Sequence, residues 1–403
     1  MPETGRTATP RPATSEITLE AVGAIDQIDK ADWDACAAPP GSVANPFVSH
    51  DFLAAAENSG SATARTGWAA RHLVARQDGR VVGAVPCYLK SHSKGEYVFD
   101  HGWADAYMRA GGTYYPKLQA AVPFTPATGP RLLVRAGADT DQVRTALARG
   151  LIGLCKATQA SSVHVTFAGE DEWRFLAGHG FLQRTDQQFH WHNDNYTTFD
   201  DFLATLNSRH RKAIRRERRE ALADGITIHH LTGDALTEEA WDAFFTFYME
   251  TGSRKWGRPY LTREFFSAIG QTMRDRVLLV MAKRNGRWIA GAINFIGSDT
   301  LYGRHWGAIE HHPFLHFEVC YYQAIDFAIA RGLRVVEAGA QGEHKIARGY
   351  LPQTTYSAHY IADAGLRRAV AHYLEGERAY VAEAVHDLTE AAPFRKDGDA
   401  HGA

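Results

Sequence analysis

Cysteine is scarce in this chain. Four occur in 403 residues, at Cys36, Cys87, Cys155 and Cys320, and no two form a CxxC pair. That spacing argues against a zinc ribbon or a disulfide framework, and it fits a reducing cytoplasm. An excess of one charge is missing too, since 44 Lys plus Arg face 46 Asp plus Glu. A polyanion-binding surface must therefore be local if it exists. No apolar run reaches the ~18 residues that span a bilayer. The opening stretch lacks the apolar core of a secretory signal. Residues 1–15 read as a disordered tail, 388–403 is set apart as a C-terminal tail, and disorder is expected there after about Pro393. No HExxH, GxSxG or Walker A pattern occurs, which removes the familiar zinc-protease, serine-hydrolase and P-loop chemistries. What remains is 45% apolar and 22% charged, an ordinary globular chain long enough for two domains.

The order of elements repeats. VLLVMAK (277–283), Asn285-Gly286 and RWIAGAINFI (287–296) spell a hairpin, because Asn-Gly supplies the two positive-φ positions of a type I′ turn. A strand over 300–309, a helix over 314–331 stopped by Gly332, and a buried strand over 333–339 follow. Earlier, HLVARQ (72–77), Asp78-Gly79, RVVGAVPCYL (80–89), a helix over 140–157 and a strand over 162–169 run in the same order. VVGAVP matches IAGAIN, and GHGFLQ (178–183) matches ARGYLPQ (347–353). The boundaries expected are a first copy at 16–195 and a second at 196–387. An insertion near 91–130 carries Tyr97, Phe99, Trp103, Tyr107, Tyr114, Tyr115 and Phe124. It reads as a substrate groove, as the interface between copies, or as a satellite core.

A basic helix lies between the copies, expected over 208–224, after Thr198 caps a short helix with Asp200 and Asp201 in its first turn. Residues 209–219 hold seven cations against Glu217 alone. Arg211, Arg215 and Arg218 or Arg219 share one face, and Lys212, Arg216 and Arg219 do so too. Such a run is either a solvated face or a contact for phosphates.

Several words together resemble the FemAB-like branch of the GNAT superfamily, proteins of the "peptidoglycan biosynthesis" and "GNAT family N-acetyltransferase" type. They are NPFVSHDFL (45–53), PFTPATGPRLL (123–133), SRHRKAIRRERR (208–219), RKWGRPYL (254–261) and the long stretch 316–352. The resemblance implies an α/β (α+β) chain of two tandem GNAT-like folds, each a mixed sheet flanked by helices. It implies acyl or aminoacyl transfer to an amine, with aminoacyl-tRNA or acyl-CoA as co-substrate, no tightly bound cofactor, and a peptidoglycan-type or small-molecule acceptor. The alternative is a non-catalytic GNAT-fold protein that binds a charged carrier or cell-wall fragment. One departure is visible. Where acetyl-CoA enzymes of this fold carry a glycine-rich pyrophosphate loop, the chain reads AIEHHPF (308–314), without glycine, which tilts the donor toward aminoacyl-tRNA.

The loops after the last parallel strand differ between copies. AGEDEWRFLAGHGF (168–181) is compared with AGAQGEHKIARGYL (338–351), and counting back from the shared Gly180 and Gly349 sets His344 opposite Phe175 and Lys345 opposite Leu176. The second copy is thus expected to hold the active site. Acyl transfer to an amine needs a neutral amine, a polarised carbonyl and donors for the oxyanion. Lys345 and Arg348 are candidates for the carbonyl or a phosphate, and His344 or Glu337 for the amine's proton. Glu318 and His305 complete the catalytic candidates, although an Arg304–Glu318 ion pair explains Glu318 equally well. Arg211, Lys212, Arg215, Arg216, Arg219 and Arg348 are candidate donor contacts. Arg304, Gln341, Trp256, Trp103 and Tyr107 are candidate acceptor contacts. His311, His312 and His316 lack a convincing third partner, so no metal is expected. A monomer or homodimer in the cytoplasm is the expected state.

Overall fold

A computed structural model describes residues 16–256, 259–340 and 342–395, apart from the side chains of 253–256 and 343. The segments 1–15 and 396–403 lie outside the described residues.

Fifteen strands form two sheets among these residues. The first half contributes β1 (Thr18–Val22), β2 (Trp68–Ala70), β3 (His72–Gln77), β4 (Arg80–Val85), β5 (Cys87–Lys90), β6 (Lys117–Ala120), β7 (Leu133–Val134), β8 (Ser162–Ala168) and β9 (Leu182–His192). The second contributes β10 (Thr227–Leu231), β11 (Val277–Arg284), β12 (Arg287–Ile296), β13 (Thr300–Ala308), β14 (Val335–Glu337) and β15 (Leu351–Ile361). Both hairpins form as their turn residues require. Asp78 and Gly79 sit at φ 52° and 77°, Asn285 and Gly286 at φ 49° and 79°, left-handed values that suit Asn, Asp and Gly best. The sequence repeat is thus a repeat of hairpin, helix and parallel strand.

The halves do not keep separate sheets. β1, β3, β4 and β7 form a small one, while a single sheet of 11 strands runs β10-β11-β12-β13-β14-β9-β15-β8-β6-β5-β2. β9 of the first half pairs with β14 of the second, and β15 of the second pairs with β8 of the first. The two terminal strands, paired with each other from Leu351–His190 to His359–Leu182, have changed places.

Apolar packing joins the halves as well. Phe47 and Phe52, from the NPFVSHDFL word, pack on Phe295, Tyr302 and Phe265 with ring centroids 4.9, 5.1 and 5.6 Å apart in the Phe47–Phe295, Phe47–Tyr302 and Phe52–Phe265 pairs. Asn45 and Ser49 cap the two turns that present those rings. The insertion also proves to be an interface. Trp103 and Tyr114 cluster with Ile361, Leu366, Val370 and Leu374, so the insertion covers β15 and the C-terminal helix Ala364–Glu390. That helix corrects one expectation. It continues past residue 387, and the segment after it docks back, with Phe394 bridging Leu206 and Pro393 accepting from the Asn207 backbone at 2.9 Å. No described helix is long and apolar enough to cross a membrane.

Candidate active site

β13 and β14 run parallel but pair over three residues only, Thr300–Val335, Leu301–Val336 and Tyr302–Glu337. Beyond them β14 ends and β13 bulges. Ile293 faces His305 and Asn294 faces Gly303, which leaves Arg304 without a cross-strand partner. A gap opens there in the middle of the long sheet. Gly303 keeps it narrow, since a Cβ at this position would stand 3.2 Å from the Glu337 carbonyl oxygen.

Three ionisable side chains meet at the gap. Arg304 makes no hydrogen bond or ion pair with a described residue; its ionisable neighbours are Tyr97 and Glu337, and burial holds its pKa below the arginine range. Glu337, 7% exposed, is pushed up to about 8 by burial, against the pull of Arg304 and Arg131. His190 Nε2 lies 3.8 Å from its Oε1. Burial, with help from His192 and Lys345, holds His190 down at about 3, so this imidazole is neutral. Lys345, 3% exposed, donates to the carbonyls of Ala338 and Gly339. Burial lowers it to about 8, and Arg304 contributes to the fall. No two of Arg304, Glu337 and Lys345 are tied in a salt bridge, so each keeps bonding capacity for a ligand.

His344 stands beside Lys345 at the mouth of the gap. It is exposed, meets the Tyr321 hydroxyl at 3.1 Å and lies against Phe317 at 5.4 Å. His305 turns to Tyr248 at 5.0 Å, and burial holds it at about 3. It is a neutral wall residue rather than a proton carrier.

Glu318 needs correction. It is fully buried and pairs with Arg218 of the basic helix at 3.0 Å, not with Arg304. Gln323 satisfies it further at 2.7 Å. The expected helix 314–331 is interrupted at this point by a widened turn, Glu318–Tyr322. Arg348 is also spoken for. It forks onto Glu217 at 2.8 and 2.9 Å, donates to the His344 carbonyl and lies over the Phe317 ring. It is an anchor for the loop, not a free phosphate contact.

The basic helix, Ser208–Ala221, therefore has two faces. Glu217 and Arg218 bind inward, the latter also to Asp326 at 2.6 Å. Lys212, Arg215, Arg216 and Arg219 are exposed, with only surface pairing to Asp200 and Glu220. Arg211 leans back on the Leu206 carbonyl at 3.4 Å.

The aromatic acceptor candidates lie elsewhere. Trp103 stacks on His164 and meets His359 edge-on, and Tyr107 packs in the same cluster, away from the gap. Gln341 and the Trp256 side chain lie outside the described residues. A groove of about 930 Å³ does run between the halves, lined by Arg65, Trp68, Lys94 and Phe124 on one wall and Met249 and Tyr260 on the other.

Sequence reasoning missed Arg131 and His190. Arg131 is fully buried, with its guanidinium wrapped by the carbonyls of Ala127, Gly129, Pro130 and Thr166, and its charge acts on Glu337. The PFTPATGPRLL word is the loop that wraps it. His190 sits between the buried aromatics Phe189 and Trp191 of β9, and a histidine flanked by two such residues was the available signal. Among the described residues no group of three or more side chains is arranged for a metal ion.

The FemAB-like family model, described as peptidoglycan biosynthesis/recognition, matches residues 24–396. No curated protein matches the chain. The crystal structure of FemX superposes with a TM-score of 0.55 at 14% identity, covering 85% of this chain and 98% of FemX. A conserved protein of unknown function from Bacteroides thetaiotaomicron gives 0.50 at 12% identity, covering 82% and 97%. A tandem GNAT protein from the clavulanic acid biosynthesis pathway gives 0.47 at 14%, covering 86% and 99%. At such identities the likeness is one of fold.

Proposed function

The chain belongs to the FemAB-like family, an enzyme of acyl or aminoacyl transfer from a carrier to an amine, and we propose that the transfer runs at Arg304, Glu337 and Lys345. The observation that carries this reading is Arg304, a half-buried guanidinium with no bonded partner among the described residues. Such a group is costly unless a ligand supplies the acceptor.

The chemistry follows from the neighbours. The guanidinium and the Lys345 ammonium polarise the donor carbonyl and take up the negative charge of the tetrahedral intermediate. The amine nitrogen attacks the carbonyl carbon, and ionised Glu337 removes its proton. A carboxylate near pKa 8 is well matched to that task. The carbon–oxygen ester bond then breaks, and the carrier leaves as a hydroxyl with the proton returned by Glu337. The proposed donor is aminoacyl-tRNA, its phosphates resting on Lys212, Arg215, Arg216 and Arg219. The proposed acceptor is an amine of a peptidoglycan precursor, entering through the groove between the halves.

The test is transfer of label from bulk ¹⁴C-aminoacyl-tRNA to a muramyl pentapeptide. Arg304→Ala and Lys345→Ala should each lower transfer by about a hundredfold or more, while tRNA binding, followed by fluorescence anisotropy, stays at the wild-type level. Unchanged turnover in Arg304→Ala would sink the assignment. Tight binding by a wild-type protein that transfers nothing would favour a pure recognition role.

A further inference from the structure

The gap belongs to the second half, yet its open side faces a loop of the first. Residues 93–100 of that loop are held from below by two buried lysines that oppose each other on β5 and β6, Lys90 and Lys117. Lys117 donates to Ser93 Oγ at 2.8 Å, to Glu96 at 2.6 Å and to Asp100. Lys90 donates to the Lys94 carbonyl at 3.2 Å and lies over the Trp68 ring. Burying two lysines, one of them held as an ammonium by Glu96 and Asp100, is an expensive way to fix a loop when apolar residues would serve. What it fixes is a strained residue. Tyr97 sits at φ 61°, a left-handed conformation that side chains other than Gly, Asn and Asp rarely adopt. Gly95 makes room by lying flat on Phe124, where a Cβ would approach the ring to 2.6 Å.

The strained turn aims the Tyr97 side chain across the boundary between the halves. Its electrostatic neighbours are Arg304 and Tyr260, and Tyr248 counts it among its own. Tyr260 lines the groove. The half-buried Tyr97 hydroxyl makes no hydrogen bond to a described residue. It therefore stands between the groove and the unpartnered guanidinium with its bonding capacity unused.

We propose that Tyr97 contacts the acceptor amine beside Arg304, and that Lys117 is the positioning residue that holds it there, so that the first half completes the site of the second. The proposal rests on the transfer reading above. The phenol oxygen accepts an N–H from the incoming amine, which leaves the nitrogen lone pair directed at the carbonyl. Water needs no such orientation, so the contact separates aminolysis from hydrolysis of the donor.

The experiment measures how ¹⁴C-aminoacyl-tRNA divides between transfer to muramyl pentapeptide and hydrolysis. Tyr97→Phe should raise the acceptor KM about tenfold, the worth of one hydrogen bond, with donor hydrolysis unchanged. Lys117→Met should show the same division. If Lys117→Met does not fold, Tyr97→Gly keeps the left-handed backbone and removes the phenol, and it should reproduce the effect. Wild-type KM and wild-type division in both Tyr97 variants overturn the inference while transfer itself stands. A wild-type protein that transfers nothing overturns the transfer reading and this inference with it.

Discussion

At the scale of single residues, Glu337 and Lys345 carry opposite pH signatures. Folded Glu337 keeps its proton up to about pH 8, whereas an unfolded glutamate loses it near 4.5. Between those values the native state binds more protons than the unfolded one, so this group makes stability fall as pH rises. Lys345 acts above that window. It titrates at about 8 when folded and near 10.5 when unfolded, so its contribution to stability rises over that range. Glu337→Gln should therefore gain urea-midpoint stability over wild type between about pH 5 and pH 8. The same variant should lose the rising limb of the transfer-rate profile that wild type shows toward about pH 8, the limb that reports the base. A wild-type rate flat across that range would remove Glu337 from the role of base. The sequence displayed both residues, Lys345 because the two copies differ there and Glu337 as a carboxylate ahead of the same loop. It did not display the vacancy at Arg304, which arises from a bulge. Nor did it display Glu318's partner, since Arg218 stands a hundred positions away in sequence.

At the scale of elements, the basic helix shows what periodicity can and cannot say. The spacing of the cations put them on shared faces, and the exposed Lys212, Arg215, Arg216 and Arg219 agree. Spacing could not tell that Arg218 turns inward, because its partners Glu318 and Asp326 lie on another helical segment. The two faces should respond differently to mutation. Arg215→Glu with Arg216→Glu should weaken tRNA binding in a salt-dependent manner and leave the urea midpoint alone. Glu217→Ala should cost about 3–5 kcal/mol of stability, because it strands the buried Arg348 guanidinium. Equal urea midpoints for Glu217→Ala and wild type would contradict the anchoring role given to that pair. The same anchor holds the loop that carries Lys345, so the inward face supports that loop, and the outward face is the one proposed above to meet the donor.

At the scale of the whole molecule, the repeat was legible and its exchange of strands was not. Hairpin, helix and parallel strand recur in order, and turn residues mark both copies. A strand pattern says which face of β9 or β15 is buried but not which neighbour it pairs with, because either half offers an apolar edge. The 16–195 and 196–387 segments, expressed singly, should therefore fail to give a cooperative unfolding transition, and co-expression should restore one. Calorimetry of the separate and combined segments measures this. A cooperative transition in either segment alone would mean that the exchange is dispensable.

The exchange also bears on how the chain is made. When the first half leaves the ribosome, β8 has only β6 beside it, and β9 has no neighbour until β14 and β15 arrive. Both edges wait through the synthesis of nearly all the second half, open to any other strand in reach. A nascent chain of this kind cannot finish one half and start the next. Any stop codon before the codons of Leu351–Ile361 spoils the first half as surely as the second, although every residue of the first half is present.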